Sequence, residues 1–206
     1  MHIVALKEIC TTETELLDEM YRLRGRIFQG RLAWQVQCVE GREYDEFDAL
    51  SPTYIIAVTA ADHVIGCARL LPASGPTMLE TIFPQLLNET RLPSHTGIIE
   101  SSRFCIDTSF AEGRGQAIHE ATLAMFAGIV EWSMLNGYSE IVTATDVRIE
   151  RILRRAGWPM ARLGNPMMIS ETLSIAGRLP ADRSTFERLR PASYTSDLTG
   201  YYRRAI

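Results

Sequence analysis

Three arginines stand where an unpaired guanidinium would be costly. Arg24 follows the apolar face of a helix, Arg69 interrupts VIGCARLL, and Arg103 interrupts IIESSRFCI. Each must either reach solvent from an edge or meet a carboxylate or ligand, because a buried charge without a partner loses its hydration for nothing. The partners on offer are Glu43, Asp45, Asp48 and Glu100. The first three share one short polar run, so a turn can converge at least two of them around an amine or a sulfonium. The same run also reads as a solvated acidic loop.

Glu100 and Arg103 are separated by an odd number of residues and face opposite sides of an ideal strand. They cooperate only if a bulge or strong twist re-aims one of them. Glu100 is a base candidate acting through water, and Ser101 a hydrogen-bond donor; a serine with no placed histidine is no nucleophile. Phe28, Trp34 and Phe83 either line a pocket for a flat or apolar ligand or serve as core aromatics. His2, His63, His95 and His119 form no ligand motif, and no metal site is expected.

Two further segments carry charge logic. The turn EGRGQA, Glu112 to Ala117, precedes a long helical pattern and could present amides to an anion, or be an ordinary turn. In VRIERILRRAGWPMAR, Arg148, Arg151 and Arg155 share a helical face, with Arg154, Arg162 and Glu150 nearby. That face is either solvated or a dock for an acidic protein carrying a phosphate-linked group.

The elements that must position these groups follow from periodicity. His2 to Leu6 reads as a strand, and Glu13 to Gly25 as an amphipathic helix burying Leu16, Leu17, Met20 and Leu23, a stripe that continues to Ile27. Gly30 to Pro52 lacks a period and reads as a surface loop or the wall of a site. Thr53 to Thr59 and Val64 to Leu71 form a hairpin, and a short helix lies within Met78 to Leu87. Gly97 to Ile106 is a strand, Gln116 to Leu135 a helix ended by Asn136-Gly137, Glu140 to Ala144 a strand, and Val147 to Arg155 a helix stopped by Gly157. Beyond Pro166, Gly177, Pro180 and Pro191 interrupt every period. This order predicts an α/β sandwich with a mixed sheet.

Composition bounds the rest. The 206 residues suit a single domain spanning 1–206, without repeats or low-complexity tracts. With 21 Lys and Arg against 25 Asp and Glu, the net charge of −4 gives no reason to expect nucleic acid as a partner. Cys10, Cys38, Cys67 and Cys105 lack metal-ligand spacing and read as reduced, isolated thiols, which points to the cytoplasm. No targeting element is expected at the start of the chain, and the apolar segment Ala121 to Leu135 is too short for a membrane span.

Taken in order, LRGRIF, EYDEFD, GCARLL, IESSRF, EIVTATD and RILRRAGWP make residues 5 to 165 resemble the LuxI-type acyl-homoserine-lactone synthases. GRLAW, GPTMLE, FAGIVEWSM and ERILRRAGWPM resemble in particular the Ti-plasmid conjugal-transfer group of rhizobia. The resemblance implies a three-layer α/β/α sandwich similar to the GNAT acyltransferase fold. It implies transfer of an acyl group from acyl carrier protein to the amine of S-adenosylmethionine, then lactonisation with release of methylthioadenosine. The implied acyl group is medium-length and 3-oxo, about eight carbons. S-adenosylmethionine is a substrate, and no prosthetic group is implied.

The same resemblance assigns Arg24, Phe28, Trp34, Asp45, Asp48, Arg69, Arg103 and Phe104 to the S-adenosylmethionine wall. Glu43 or Glu100 receives the amine proton, directly or through water; Asp45 and Arg103 belong to the catalytic set; Ser101 helps hold the oxyanion. Met78, Leu79, Phe83, Met125, Thr143 and Thr145 belong to the acyl pocket, and Arg148, Arg151 and Arg155 to carrier-protein docking. Two other functions compete. An acetyl-coenzyme A-dependent amine N-acetyltransferase is weakened by Glu112, where that family's pattern has Gln or Arg. A non-enzymatic module binding S-adenosylmethionine or an acyl metabolite would release no methylthioadenosine.

Overall fold

The computed structural model describes residues 1–7, 14–32, 34–88, 92, 96–110 and 119–199. Cys10, His95 and the 112–117 turn lie outside the described residues.

Strand β1 (His2–Lys7), next to one edge of the main sheet, is buried on both faces, its residues alternating between two cores. Ile3 and Ala5 join the core under the long helix α3 (Glu120–Leu135), while Val4 and Leu6 join the core under α1 (Thr14–Gly25). β4 (Thr53–Val58) and β5 (Val64–Pro72) form the expected hairpin, and β6 (Ile98–Ile106) pairs antiparallel to β5. Beyond β6 come β7 (Glu140–Asp146) and β10 (Thr172–Pro180). The edges are β11 (Ser196–Asp197) on β1 and β8 (Ala161–Arg162) on β10, with β9 (Met167–Ile169) also pairing β10. β1 with β11 and β6 with β7 are parallel, and the other pairs antiparallel, so the sheet is mixed. A separate hairpin joins β2 (Cys38–Val39) to β3 (Arg42–Glu43).

One face of the sheet carries α1 and the short helix α2 (Met78–Thr81); the other carries α3, α4 (Val147–Arg155) and α5 (Arg183–Leu189). The helices end where their sequence says: Gly137 and Gly157 adopt left-handed φ of 80° after α3 and α4. α4 opens on Asp146, whose Oδ1 accepts from the amides of Arg148 at 2.7 Å and Ile149 at 2.8 Å.

The region beyond Pro166 departs from the expectation of interrupted periods. It contains a nine-residue strand, a helix and an edge strand. Gly177 sits inside β10 because Met160 packs onto it: a Cβ there would lie 2.1 Å from the Met160 Cγ. The glycine marks a close approach, not a break. Pro180 ends β10, opposite Glu140 at the start of β7.

Two irregularities shape the centre. Between β5 and β6, Cys67 pairs with Cys105 but Arg69 pairs with Ser102, leaving one extra residue in β6. Arg103 lies in this bulge with φ of 52°. Parallel pairing of β6 and β7 covers Ile98 to Glu100 and stops there, although both strands continue.

Candidate active site

The three arginines adopt the paired arrangement. Arg24 Nε donates to Glu43 Oε2 at 2.6 Å, and its Nη1 and Nη2 grip both Asp48 oxygens at 2.8 Å each. Arg69 Nη1 donates to Asp45 Oδ1 at 2.5 Å and to Asp48 Oδ1 at 2.8 Å. Arg103 Nε reaches Glu43 Oε1 at 3.0 Å, and its Nη2 reaches Asp45 Oδ2 at 2.6 Å. Three cations and three anions close one network. The side chains of Arg24, Arg69 and Glu43 have no exposure, whereas Arg103 and Asp45 retain 13% and 12%. The network therefore opens to solvent mainly at Arg103 and Asp45.

Local structure explains the convergence. Gly25 lets the end of α1 meet the β2–β3 turn, since a Cβ there would lie 2.4 Å from the Gly41 carbonyl oxygen. This contact brings Arg24 and Glu43 together. The bulge carries the guanidinium of Arg103 onto the face of Arg69, answering the parity problem between Glu100 and Arg103. Asp45 and Asp48 belong to a tight turn in which Asp48 Oδ2 accepts from the Asp45 amide at 2.8 Å and Asp45 Oδ1 from the Phe47 amide at 2.9 Å.

Burial alone would disfavour charge in this cluster, but the partners outweigh it. Burial raises the Asp48 pKa, yet Arg24 and Arg69 hold it well below its ordinary range. Burial lowers Arg24 and Arg69, yet Asp48, Glu43 and Asp45 lift both above the usual guanidinium value. The aromatic lining is also in place. Phe28 and Trp34 stack at 5.2 Å with 4° between their planes, and Arg103 lies 5.8 Å from the Phe28 ring centre.

Glu100 is close to this cluster but does a different job. Its Oε2 accepts from the Met78 amide at 2.9 Å, and its Oε1 from the Leu79 amide at 2.7 Å. With Thr77 Oγ1 accepting from the Glu80 amide at 3.1 Å, the first three donors of α2 are satisfied. Burial raises the Glu100 pKa and nearby Glu80 adds to this, while the two amides and Arg69 oppose it. Met78 turns its sulfur to the arginines, and Leu79 packs beneath Leu86, Leu92 and Ile98. Phe83 packs against both of these small cores.

On the opposite face, where β6 and β7 part, a cavity of about 40 Å³ is lined by Ser101, Phe104, Phe126, Thr143, Thr145 and Trp158, with aliphatic residues of α3 and α4 among the others. Phe104 stacks on Phe126 at 5.1 Å. The groupings expected from the sequence are thus divided differently. Phe104 belongs with the apolar cavity, not with the arginines. The residues assigned to the acyl pocket separate into Met78, Leu79 and Phe83 on one face and Thr143 and Thr145 on the other. Met125 is fully buried against Gly66, outside the cavity lining. A wider hollow of about 490 Å³ beside Thr14–Glu19 contains none of these groups.

The family model for autoinducer synthases matches residues 8–189. A probable acyl-homoserine-lactone synthase of Sinorhizobium fredii is 57% identical over 187 residues, covering 90% of each chain. This chain belongs to the autoinducer synthase family. The solved structure of the AHL synthase LasI is 31% identical, with a TM-score of 0.78 over 91% of this chain and 93% of LasI. BjaI, a CoA-dependent acyl-homoserine lactone synthase solved with MTA, matches the fold at a TM-score of 0.83, with 24% identity over 95% of this chain and 92% of BjaI. The mixed sheet with helices on both faces is the synthase fold.

Several residues that complete the ion network and the cavity carry no site signal in the sequence. Tyr54, Arg69 and Ser102 stand opposite one another across β4, β5 and β6. The Tyr54 hydroxyl donates to Asp48 Oδ1 at 2.8 Å, and Ser102 Oγ accepts from Arg69 Nε at 3.1 Å. Strand register would find both, were the bulge known. Phe126 sits in a long apolar helical pattern and Trp158 just past a helix stop, and only the packing of α3 and α4 brings them to the cavity. The arginine face of α4 is present: Arg148, Arg151 and Arg155 are exposed, while Glu150 is buried and held by Arg162 at 2.7 and 2.8 Å. Among the described residues no helix is long and apolar enough to cross a membrane.

Proposed function

We propose that this synthase binds S-adenosylmethionine at the open corner of the ion network and receives its acyl thioester between β6 and β7. The limited exposure of Arg103 and Asp45, beside the Phe28–Trp34 stack, carries this reading. Arg103 takes the methionyl carboxylate, Asp45 the amine, and the exposed indole of Trp34 the sulfonium and its adenosine. Arg24, Arg69, Glu43 and Asp48 hold the first two in position. A network already neutral and hydrogen-bonded spends little reorganisation on binding.

The amine must lose a proton before its lone pair can attack the thioester carbonyl. Both oxygens of Glu43 accept from arginines, and both oxygens of Glu100 accept from amides. In our reading the proton therefore leaves to water at the mouth. The tetrahedral oxyanion forms at the parted strands, beside Ser101 and just beyond the last β6–β7 pair, Glu100 with Val142. The thiolate departs and the amide forms. The methionyl carboxylate then displaces methylthioadenosine from its own γ-carbon, closing the lactone. The acyl chain lies toward Phe104, Phe126, Thr143, Thr145 and Trp158. The arginines of α4 favour acyl carrier protein over coenzyme A as the donor, because a protein with an acidic surface uses the whole face.

Purified protein given S-adenosylmethionine and a panel of acyl carrier protein and coenzyme A thioesters should yield N-acyl-homoserine lactone and methylthioadenosine in equal amounts, with a medium 3-oxo carrier-protein substrate preferred. The Arg151→Glu/Arg155→Glu double variant should raise the KM for acyl carrier protein by about tenfold, with coenzyme A thioesters used as before. An equal loss with both donors would remove the docking assignment.

A further inference from the structure

One contact in the cluster is not explained by charge pairing. The thioether sulfur of Met78 accepts from Arg69 Nη2 at 2.9 Å and lies 3.5 Å from Arg103 Nη1. Met78 is buried, and its backbone amide is the one that Glu100 Oε2 accepts from. A thioether is a weak acceptor, so its place between two guanidinium groups calls for something to hold it there. The amides of Met78 and Leu79 are tied to one carboxylate, and Thr77 caps the next donor of α2. This fixes the backbone from which the sulfur projects.

We propose that Glu100 and Met78 act together as a positioning pair: Glu100 holds the start of α2, and the Met78 sulfur sets the angle at which Arg103 meets S-adenosylmethionine. Arg103 needs such support. It leaves the strand from a bulge with left-handed φ, a conformation that costs a non-glycine residue energy and re-aims its side chain. Glu43 and Asp45 hold Nε and Nη2, and the sulfur approaches Nη1, so all three guanidinium nitrogens are oriented. Glu100 is then a positioning residue and not the base, and Met78 is a support for the arginines rather than acyl-pocket wall. The inference rests on the placement of S-adenosylmethionine at Arg103 proposed above.

Steady-state release of methylthioadenosine, measured against S-adenosylmethionine concentration and pH, tests it. Met78→Leu keeps the volume and removes the acceptor. It should raise the KM for S-adenosylmethionine by about tenfold, the effect of losing one hydrogen bond to a charged group, and leave kcat within about twofold. Met78→Gln, which returns an acceptor at similar reach, should recover most of the loss. Glu100→Gln should show the same rise in KM and keep the acidic limb of the wild-type pH profile.

A folded Met78→Leu with wild-type KM overturns the proposal. So does a Glu100→Gln enzyme whose kcat collapses and whose acidic limb disappears, since that identifies Glu100 as the base. Arg103→Lys separates the underlying reading: if it leaves the KM for S-adenosylmethionine unchanged, the binding site itself is misplaced. If it raises that KM while Met78→Leu does not, only the positioning pair is lost.

Discussion

The two faces of the sheet solve opposite problems within a few residues of each other. On the α1 face, six charged side chains from α1, the β3 region, β5 and β6 saturate one another with short, paired contacts. On the α3 face, the parted ends of β6 and β7 leave about 40 Å³, room for roughly one water. The charged face is ready for a small polar substrate of fixed shape. To take the acyl chain proposed for it, the apolar face must open. On the assignment proposed above, methionyl recognition rests on rigid structure, and chain length on how far Phe104, Phe126 and Trp158 yield.

The strongest way to break the contrast is to unbalance the charged face. Arg24→Met leaves Glu43 and Asp48 buried with half their partners and should cost about 3–5 kcal/mol in urea unfolding, with activity lost. Asp48→Asn addresses the same face through pH. The Asp48 pKa is depressed in the folded protein, so its stabilisation is present above its ordinary value of 3.8 and fades as pH falls toward the depressed one. The variant should be less stable at neutral pH and show a shallower loss of Tm on acidification below about pH 4.

Smaller effects belong to the apolar face, where packing can adjust. Phe126→Leu should cost about 1 kcal/mol and shift the preferred acyl chain longer by about two carbons, read from product masses. Thr143→Val should lower the preference for 3-oxo over unsubstituted chains by roughly threefold in competition assays. A large stability loss from either change would mean that the cavity is as rigid as the ion network, and the contrast would fail.

Much of the architecture is legible in the sequence because it depends on local period and punctuation. The α1 stripe, the β4–β5 hairpin and the limits of α4 follow from apolar spacing, turn residues and glycine stops. β10 is hidden because its Gly177 looks like a breaker until Met160 is seen lying on it. The charged residues of the site are also legible as candidates, since arginines within apolar runs need either an edge or a partner. Which carboxylate each would meet is not.

The sequence by itself determined that these arginines had either to reach solvent at an edge or to meet partners, and that helices would cover a mixed sheet. Both follow from the cost of exposing apolar surface and burying lone ions. Only the tertiary structure decided that Arg103 crosses to the face of Arg69, that Glu100 is spent on the amides of α2, and that Phe104 lines the apolar cavity. One extra residue in β6 changes the direction of every side chain beyond it, and that bulge arises from pairing with a neighbouring strand rather than from any property of the segment alone.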